Sequence, residues 1–179
     1  MRTNGLHPAF FSRRWKVFFS KKKKGKIKLV ALIDFENISR HAVDEGKIID
    51  FIKLHEFLSG IGEIIFAFIF VPDHYVYSLP NNLNDLGFGI ILCQKLVEGS
   101  EKLEDTVDIH IIQTGMKFIN FPEITDIVII SHDKHMVHLL KEAKNFRKTI
   151  SIISTEKISQ ILKKVVDLKN IYKLPLKDR

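Results

Sequence analysis

From its amino end the chain is basic and free of acids until residues 27–33, Ile27-Lys28-Leu29-Val30-Ala31-Leu32-Ile33, where it turns almost continuously apolar. A short, partly β-branched apolar run is the pattern of a strand buried on both faces. Similar runs recur at 63–71, 88–94, 124–130 and 149–153, each bounded nearby by Gly, Pro, Asn, Asp or Ser, so the pattern predicts five strands. Between them the apolar period lengthens to that of helices, at Ile48, Ile52 and Phe57, at Val107, Ile111 and Met116, and at Met136, Leu139, Leu140 and Ala143. A final helix is predicted over 159–168, and Leu79-Pro80-Asn81-Asn82-Leu83-Asn84 reads as a loop between the second and third strands.

Strands that alternate with helices are joined by right-handed crossovers, which place a parallel sheet between two helical layers. The predicted class is therefore α/β, a three-layer α/β/α arrangement around a mostly parallel five-stranded sheet. In such sheets ligands gather outside the carboxyl ends of the strands, where the strand order reverses. Chemistry is to be sought there.

Length agrees with this outline, since 179 residues suit one domain with a full core. Every apolar run is broken well before the ~20 positions of a membrane span, so no integral membrane association is expected. One cysteine, Cys93, cannot form an internal disulfide, and the chain opens without a secretory pattern, which predicts a reducing, cytoplasmic setting.

Charge changes the picture more. The net charge is +7, yet residues 1–28 hold ten Lys and Arg and no acids, leaving 18 basic against 21 acidic residues from 29 onward, formally −3. The basicity belongs to an amino-terminal segment, taken as 1–27 and expected to be flexible, ahead of a domain over 28–175. Its run Lys21, Lys22, Lys23 and Lys24 suits electrostatic binding of a polyanion without sequence readout, and suits a solvated tail or an organellar targeting segment equally. Phe10, Phe11, Trp15, Phe18 and Phe19 interleave with these cations, a composition for stacking on unpaired bases or for an amphipathic helix.

Three carboxylates fall where the predicted geometry converges. Asp34 ends the first strand, Asp108 opens the helix after the third, and Asp133 follows the fourth. A carboxylate at the end of an apolar strand needs a hydrogen-bond donor, a cation or a metal ion. Each also has a structural reading: Asp34 as a cap or turn residue with Asn37 and Ser39, Asp105 as an N-cap with Asp108 in the first turn, and Ser131 or Asp133 as the cap of the helix that follows. Carboxylates gathered without cations repel, whereas Mg²⁺ or Mn²⁺ neutralises them and takes oxygen ligands.

The segments Leu32-Ile33-Asp34-Phe35-Glu36-Asn37, Thr106-Val107-Asp108-Ile109 and Ile129-Ile130-Ser131-His132-Asp133-Lys134-His135 resemble, in order and strand context, the three motifs of the NYN domain, a branch of the PIN-like nucleases. The resemblance runs over roughly residues 28–155 and implies a PIN-like, Rossmann-like fold. It further implies a metal-dependent endoribonuclease using Mg²⁺ or Mn²⁺, with RNA as partner, DNA left open and a homodimer as a candidate assembly.

By the same resemblance Asp34, Asp108 and Asp133 are metal ligands, directly or through water, and Asn37 orients a water, a carboxylate or the scissile phosphate. Ser131 contacts phosphate or caps the helix. The chain departs from the family pattern at two places. Gln113 and Thr114 stand where a further acid is common in the second motif, and His132 and His135 replace the Gly and second Asp of Ser-Gly-Asp-x-Asp. These losses leave an inactive RNA-binding or adaptor module as the alternative function.

His135 offers an imidazole to a softer ion such as Mn²⁺ or Zn²⁺. His132, His135 and His138 share a helical spacing but lack a fourth nearby ligand, with His110 the candidate to supply it, so partly exposed helix residues are the simpler account. Lys95, Lys102 and Lys134 flank the acidic positions, where they can hold phosphates on either side of a cut or serve as ordinary solvated lysines.

Overall fold

The computed structural model describes residues 26–94, 96–97, 103–104, 106–155 and 158–179. The chain begins its fold with β1 (Lys28–Asp34), α1 (Phe35–Asp44), the short β2 (Lys47–Ile49), α2 (Phe51–Ile61) and β3 (Glu63–Pro72). There follow β4 (Gly89–Cys93), the short pair β5 (Leu96–Val97) and β6 (Leu103–Glu104), α3 (Val107–Ile119) and β7 (Asp126–Ile130). The last part comprises α4 (Val137–Asn145), β8 (Thr149–Ser154), α5 (Gln160–Val165), β9 (Ile171–Lys173) and β10 (Leu176–Asp178).

β1 is buried from Leu29 to Asp34, as its unbroken apolar run demands of a central strand. It pairs in parallel with β3 on one side and β7 on the other, within a sheet of order β4-β3-β1-β7-β8-β9 whose pairings are all parallel. The chain builds outward from β1 through β3 to β4, crosses back by α3, and builds the other way through β7, β8 and β9. The strand order thus reverses between β1 and β7.

Each face of the sheet carries its own core. On one, Phe35, Ile38 and Ala42 of α1 and Phe51, Leu54 and Leu58 of α2 pack over Ala31, Ile33 and Ile69. On the other, Ile111 of α3, Leu139 and Leu140 of α4 and Leu162 of α5 pack over Leu32, Phe70 and Ile129. These are the three expected layers.

All five predicted strands are present, and a sixth, β9, lies beside β8; its three residues are too short for a periodicity signal. Ile48 belongs to β2 rather than to the helix it was grouped with, which begins at Phe51 behind the N-cap Asp50. β2 pairs antiparallel with β10, so paired structure continues to Asp178. The final helix is shorter than predicted, because Val166 is already extended. Of the cap and turn readings of Asp34 the cap holds, for Asp34 opens a full helix, α1, whose buried stripe is Phe35, Ile38 and Ala42. Within the predicted 79–84 loop, Leu83 is buried and anchors the segment to the core.

Among the described residues no helix is long and apolar enough to cross a membrane. Cys93 is buried, and its thiol donates weakly to the Ile91 carbonyl at 3.7 Å.

Candidate metal centre

Register brings two of the motifs together. In the β1–β7 ladder Ile33 lies opposite Ile130, so Asp34 and Ser131 are the next positions on adjacent strands, whose axes run about 4.8 Å apart. Both are buried, Asp34 at 4% exposure and Ser131 at 0%.

Ser131 is the hub of a compact network. Its hydroxyl lies 3.3 Å from Asp34 Oδ2 and 3.0 Å from Asn37 Oδ1, and accepts from the Asp133 amide at 3.1 Å. One hydroxyl proton serves either of the first two acceptors at a time. The Asn37 side-chain oxygen also accepts from the His132 amide at 3.0 Å, and the Asn37 amide donates to Asp34 Oδ1 at 3.2 Å. Asp34 is therefore the N-cap of α1 and a member of the acidic site together, since the two readings use different oxygens.

The third motif turns sharply after β7. Asp133 accepts from the His135 amide at 2.8 Å and opens the short 3₁₀ turn Lys134–Met136 that leads into α4. That turn presents His135 toward α3, where its Nδ1 lies 2.9 Å from Asp108 Oδ2 and 3.2 Å from Asp133 Oδ1. Asp108 sits in the first turn of α3, whose N-cap is Thr106. Asp105, the expected cap, lies outside the described residues, and Thr106 is held instead by donating its hydroxyl to the Gln94 carbonyl.

Among the described residues, the cluster able to share one ion is Asp108, Asp133 and His135, whose ligand atoms all lie within 4.8 Å of one another. Asp34 stands outside that group and connects to it through Ser131. Gathering two carboxylates with an imidazole suits a divalent ion that accepts both oxygen and nitrogen, so the donor set fits Mn²⁺ well and fits Mg²⁺ with added water ligands. His132, His138 and His110 do not enter the cluster. The ring of His132 packs edge-to-face on His41 of α1 at 4.3 Å between centroids, where the family's Gly would have no ring.

Lys134 is exposed next to Asp133, while Lys21, Lys22, Lys23, Lys24, Lys95 and Lys102 lie outside the described residues. Ser131 is fully buried, and its bonds make it an organiser of the acidic residues. Glu36, within the first motif, is buried and ion-paired with Arg40 one turn on. The i, i+4 spacing in Glu36-Asn37-Ile38-Ser39-Arg40 is the signal that reveals this pair.

A parallel sheet that reverses its order at β1, with acids at the carboxyl ends of β1 and β7 and at the start of α3, defines a nuclease-type PIN-like α/β domain. The NYN domain model matches residues 28–174, and the chain belongs to the NYN domain family of the PIN-like nuclease superfamily. The chain is also similar to a crystal structure of a protein of unknown function from Vibrio parahaemolyticus RIMD 2210633. That match has a TM-score of 0.71 and 18% identity, covering 85% of this chain and 95% of that one, and is a likeness of fold alone. Among curated proteins, none matches the chain. Family and acidic cluster together give a nuclease-like role and a site able to hold a metal ion.

Proposed function

We propose that this protein is a metal-dependent endoribonuclease that hydrolyses RNA phosphodiester bonds at the carboxyl edge of β1 and β7. The observation that carries the reading is the convergence of Asp108, Asp133 and His135, tied through Ser131 to the buried Asp34 and to Asn37. Three segments spread over about a hundred residues of sequence supply one polar site at the position where open parallel sheets bind ligands.

Asp108, Asp133 and His135 would hold the ion, Mg²⁺ or Mn²⁺, with Asp34 adding its carboxylate directly or through water. When bound, the ion supplies positive charge that lowers the pKa of water and offsets the negative charge of the reacting phosphodiester. The residues do the positioning. Asp34 keeps Oδ2 beside Ser131 while Oδ1 caps α1, so its carboxylate is fixed in one orientation. Asn37 keeps its amide nitrogen turned from the network that its oxygen anchors, and that nitrogen is the donor offered to a water or a phosphate oxygen. Water oxygen attacks phosphorus, the bond to the leaving ribose oxygen breaks, and a proton ends on that oxygen. Lys134, with Lys95, Lys102 and the Lys21–Lys24 run, supports the flanking phosphates.

One observation favours a second reading. His135 sits between Asp108 and Asp133, where a second aspartate would add negative charge for the ion, which suits a binding module with weakened turnover. Labelled single-stranded and structured RNA incubated with Mg²⁺ or Mn²⁺ separates the two. Cleavage by the wild type that is abolished in Asp34→Asn supports the enzyme. Tight binding without cleavage in either metal supports the binding module, and cleavage undiminished in Asp34→Asn rejects the assigned site.

A further inference from the structure

Four phenylalanines form a cluster of rings toward the amino end of the sheet, on the face that carries α3. Phe66 and Phe68, two residues apart on β3, project to one side of the sheet. The Phe66 ring lies 5.6 Å from Phe68 and 5.1 Å from Phe118 of α3 between centroids, and Phe118 lies 5.8 Å from Phe121. Phe68 and Phe118 pack onto the core, but Phe66 and Phe121 are 45% and 52% exposed. Single exposed apolar residues need no explanation, whereas contiguous aromatic rings left in water mark a surface that something covers.

The described chain starts beside this cluster. Lys26, its first residue, pairs with Glu63 at 3.1 Å, and the Ile27 carbonyl accepts from the Glu63 amide at 2.9 Å. Phe66 stands three residues along β3 from Glu63, about 10 Å at the rise of a strand. The Lys28 carbonyl accepts from the Thr125 amide, four residues beyond Phe121. The start of the described chain is therefore flanked by the segments that carry Phe66 and Phe121.

Ahead of that point the sequence supplies a matching apolar stripe. Phe11, Trp15 and Phe18 fall at i, i+4 and i+7 with Phe19 beside them, so a helix over these positions gathers the aromatic rings on one face and turns Arg13, Lys16 and Ser20 to the other. From Phe19 to Lys26 is seven residues, a tether that reaches roughly 23 Å when extended. That exceeds the span to Phe66. A short tether also presents the stripe at an effective concentration on the order of millimolar, which a second copy or a free ligand has to match. Glu123, exposed two residues beyond Phe121, offers a carboxylate to the basic side of the segment.

We propose that residues 10–19 dock on the cluster as an amphipathic helix, with Trp15 and its neighbouring rings covering Phe66 and Phe121. The occupant is the chain's own amino-terminal segment. Docked there, it leaves the carboxyl edge of β1 and β7 open and ties the run Lys21–Lys24 to the body of the domain.

Trp15 is the only tryptophan of the chain, so the full-length protein reports the contact by its own fluorescence. Its emission in buffer is expected to be blue-shifted and shielded from acrylamide relative to the urea-unfolded chain. Phe66→Ser combined with Phe121→Ser, both at half-exposed positions, moves the emission to the unfolded value and raises quenching to match, with far-UV circular dichroism unchanged. Phe18→Ser, made in the segment itself, gives the same shift, and Leu168→Ser, at an exposed position on another element, gives none. Wild-type emission already at the unfolded value overturns the docking, as does shielded emission that ignores the loss of Phe66 and Phe121. Shielding lost on dilution, with the mass by light scattering falling from dimer to monomer, assigns the cluster to a second copy. Shielding that arises only when anionic vesicles or RNA are added assigns the stripe to those partners, and each of these outcomes overturns docking within the chain.

Discussion

His135 Nδ1 lies 2.9 Å from Asp108 Oδ2, joining the turn before α4 to the first turn of α3 at the point where a carboxylate would otherwise face a carboxylate. The contact makes His135 the residue that distinguishes this donor set, because an imidazole favours transition-metal ions over Mg²⁺. In a thermal-shift titration Mn²⁺ is expected to stabilise the protein at lower concentration than Mg²⁺. His135→Asp, which restores an all-oxygen set, is expected to narrow that gap. An identical Mn²⁺-to-Mg²⁺ ratio in the variant would exclude His135 from the metal's ligands.

Ser131 has no solvent exposure, and its hydroxyl donates to Asp34 or to Asn37 while accepting from the Asp133 amide. Ser131→Ala strips the Asp133 amide of its acceptor and Asp34 of a donor. The expected loss of stability is about 1–3 kcal/mol, the range for a buried polar group left without its partner. Cleavage should fall further than the stability loss explains, since Asp34 is no longer oriented. Urea unfolding alongside RNA cleavage below the transition gives both quantities, and an unchanged midpoint would show that the network carries no stability.

The strands were legible because their burial is written as uninterrupted apolar runs, and β1 shows this best, with Leu29 to Ile33 all at 0% exposure. Motif order placed Asp34, Asp108 and Asp133 near one edge, but it could not place Ser131 between Asp34 and Asp133, because that depends on the register Ile33 to Ile130. Nor did spacing show that His135 turns toward Asp108 while His132 turns toward His41: the short turn Lys134–Met136 sends neighbouring histidines to different elements. α1 was not separable from a turn, because Asp34, Asn37 and Ser39 suit a helix cap and a turn alike.

At the opposite end of β7, Asp126 is buried, and desolvation pushes its carboxyl above the usual value of 3.8 even though Thr125 and Thr149 hydrogen-bond it in its charged form. A raised acid binds its proton more readily folded than unfolded. Its contribution to stability is therefore fully present below pH 3.8 and is lost as pH rises through the folded pKa. Asp126→Asn keeps an oxygen for the Thr125 hydroxyl and removes the buried charge. The variant is expected to match the wild type near pH 3 and to exceed it in Tm at pH 7. A difference in Tm that is constant across that range would mean that Asp126 does not titrate differently in the two states.

Gly115 of α3 meets Leu139 of α4 so closely that a Cβ at Gly115 would stand 2.5 Å from Leu139 Cδ2. Leu139 is itself fully buried and cannot swing away freely. The close approach matters to the site, because Asp108 lies two helical turns before Gly115 while Asp133 and His135 lead into α4. Gly115→Val forces the two helices apart or bends Leu139 off its rotamer, at about 1–3 kcal/mol for an overpacked core. Leu139→Ala alone leaves a cavity and loses about 2–5 kcal/mol. Together the added and removed atoms occupy the same space, so the double variant is expected to lose less stability than the two singles added. Mn²⁺-induced stabilisation should follow the same pattern, weakened in Gly115→Val and partly recovered in the double variant, because it reports the approach of Asp108 to His135. Strict additivity in both measurements would show that the contact of Gly115 with Leu139 does not set the distance between the two halves of the metal centre.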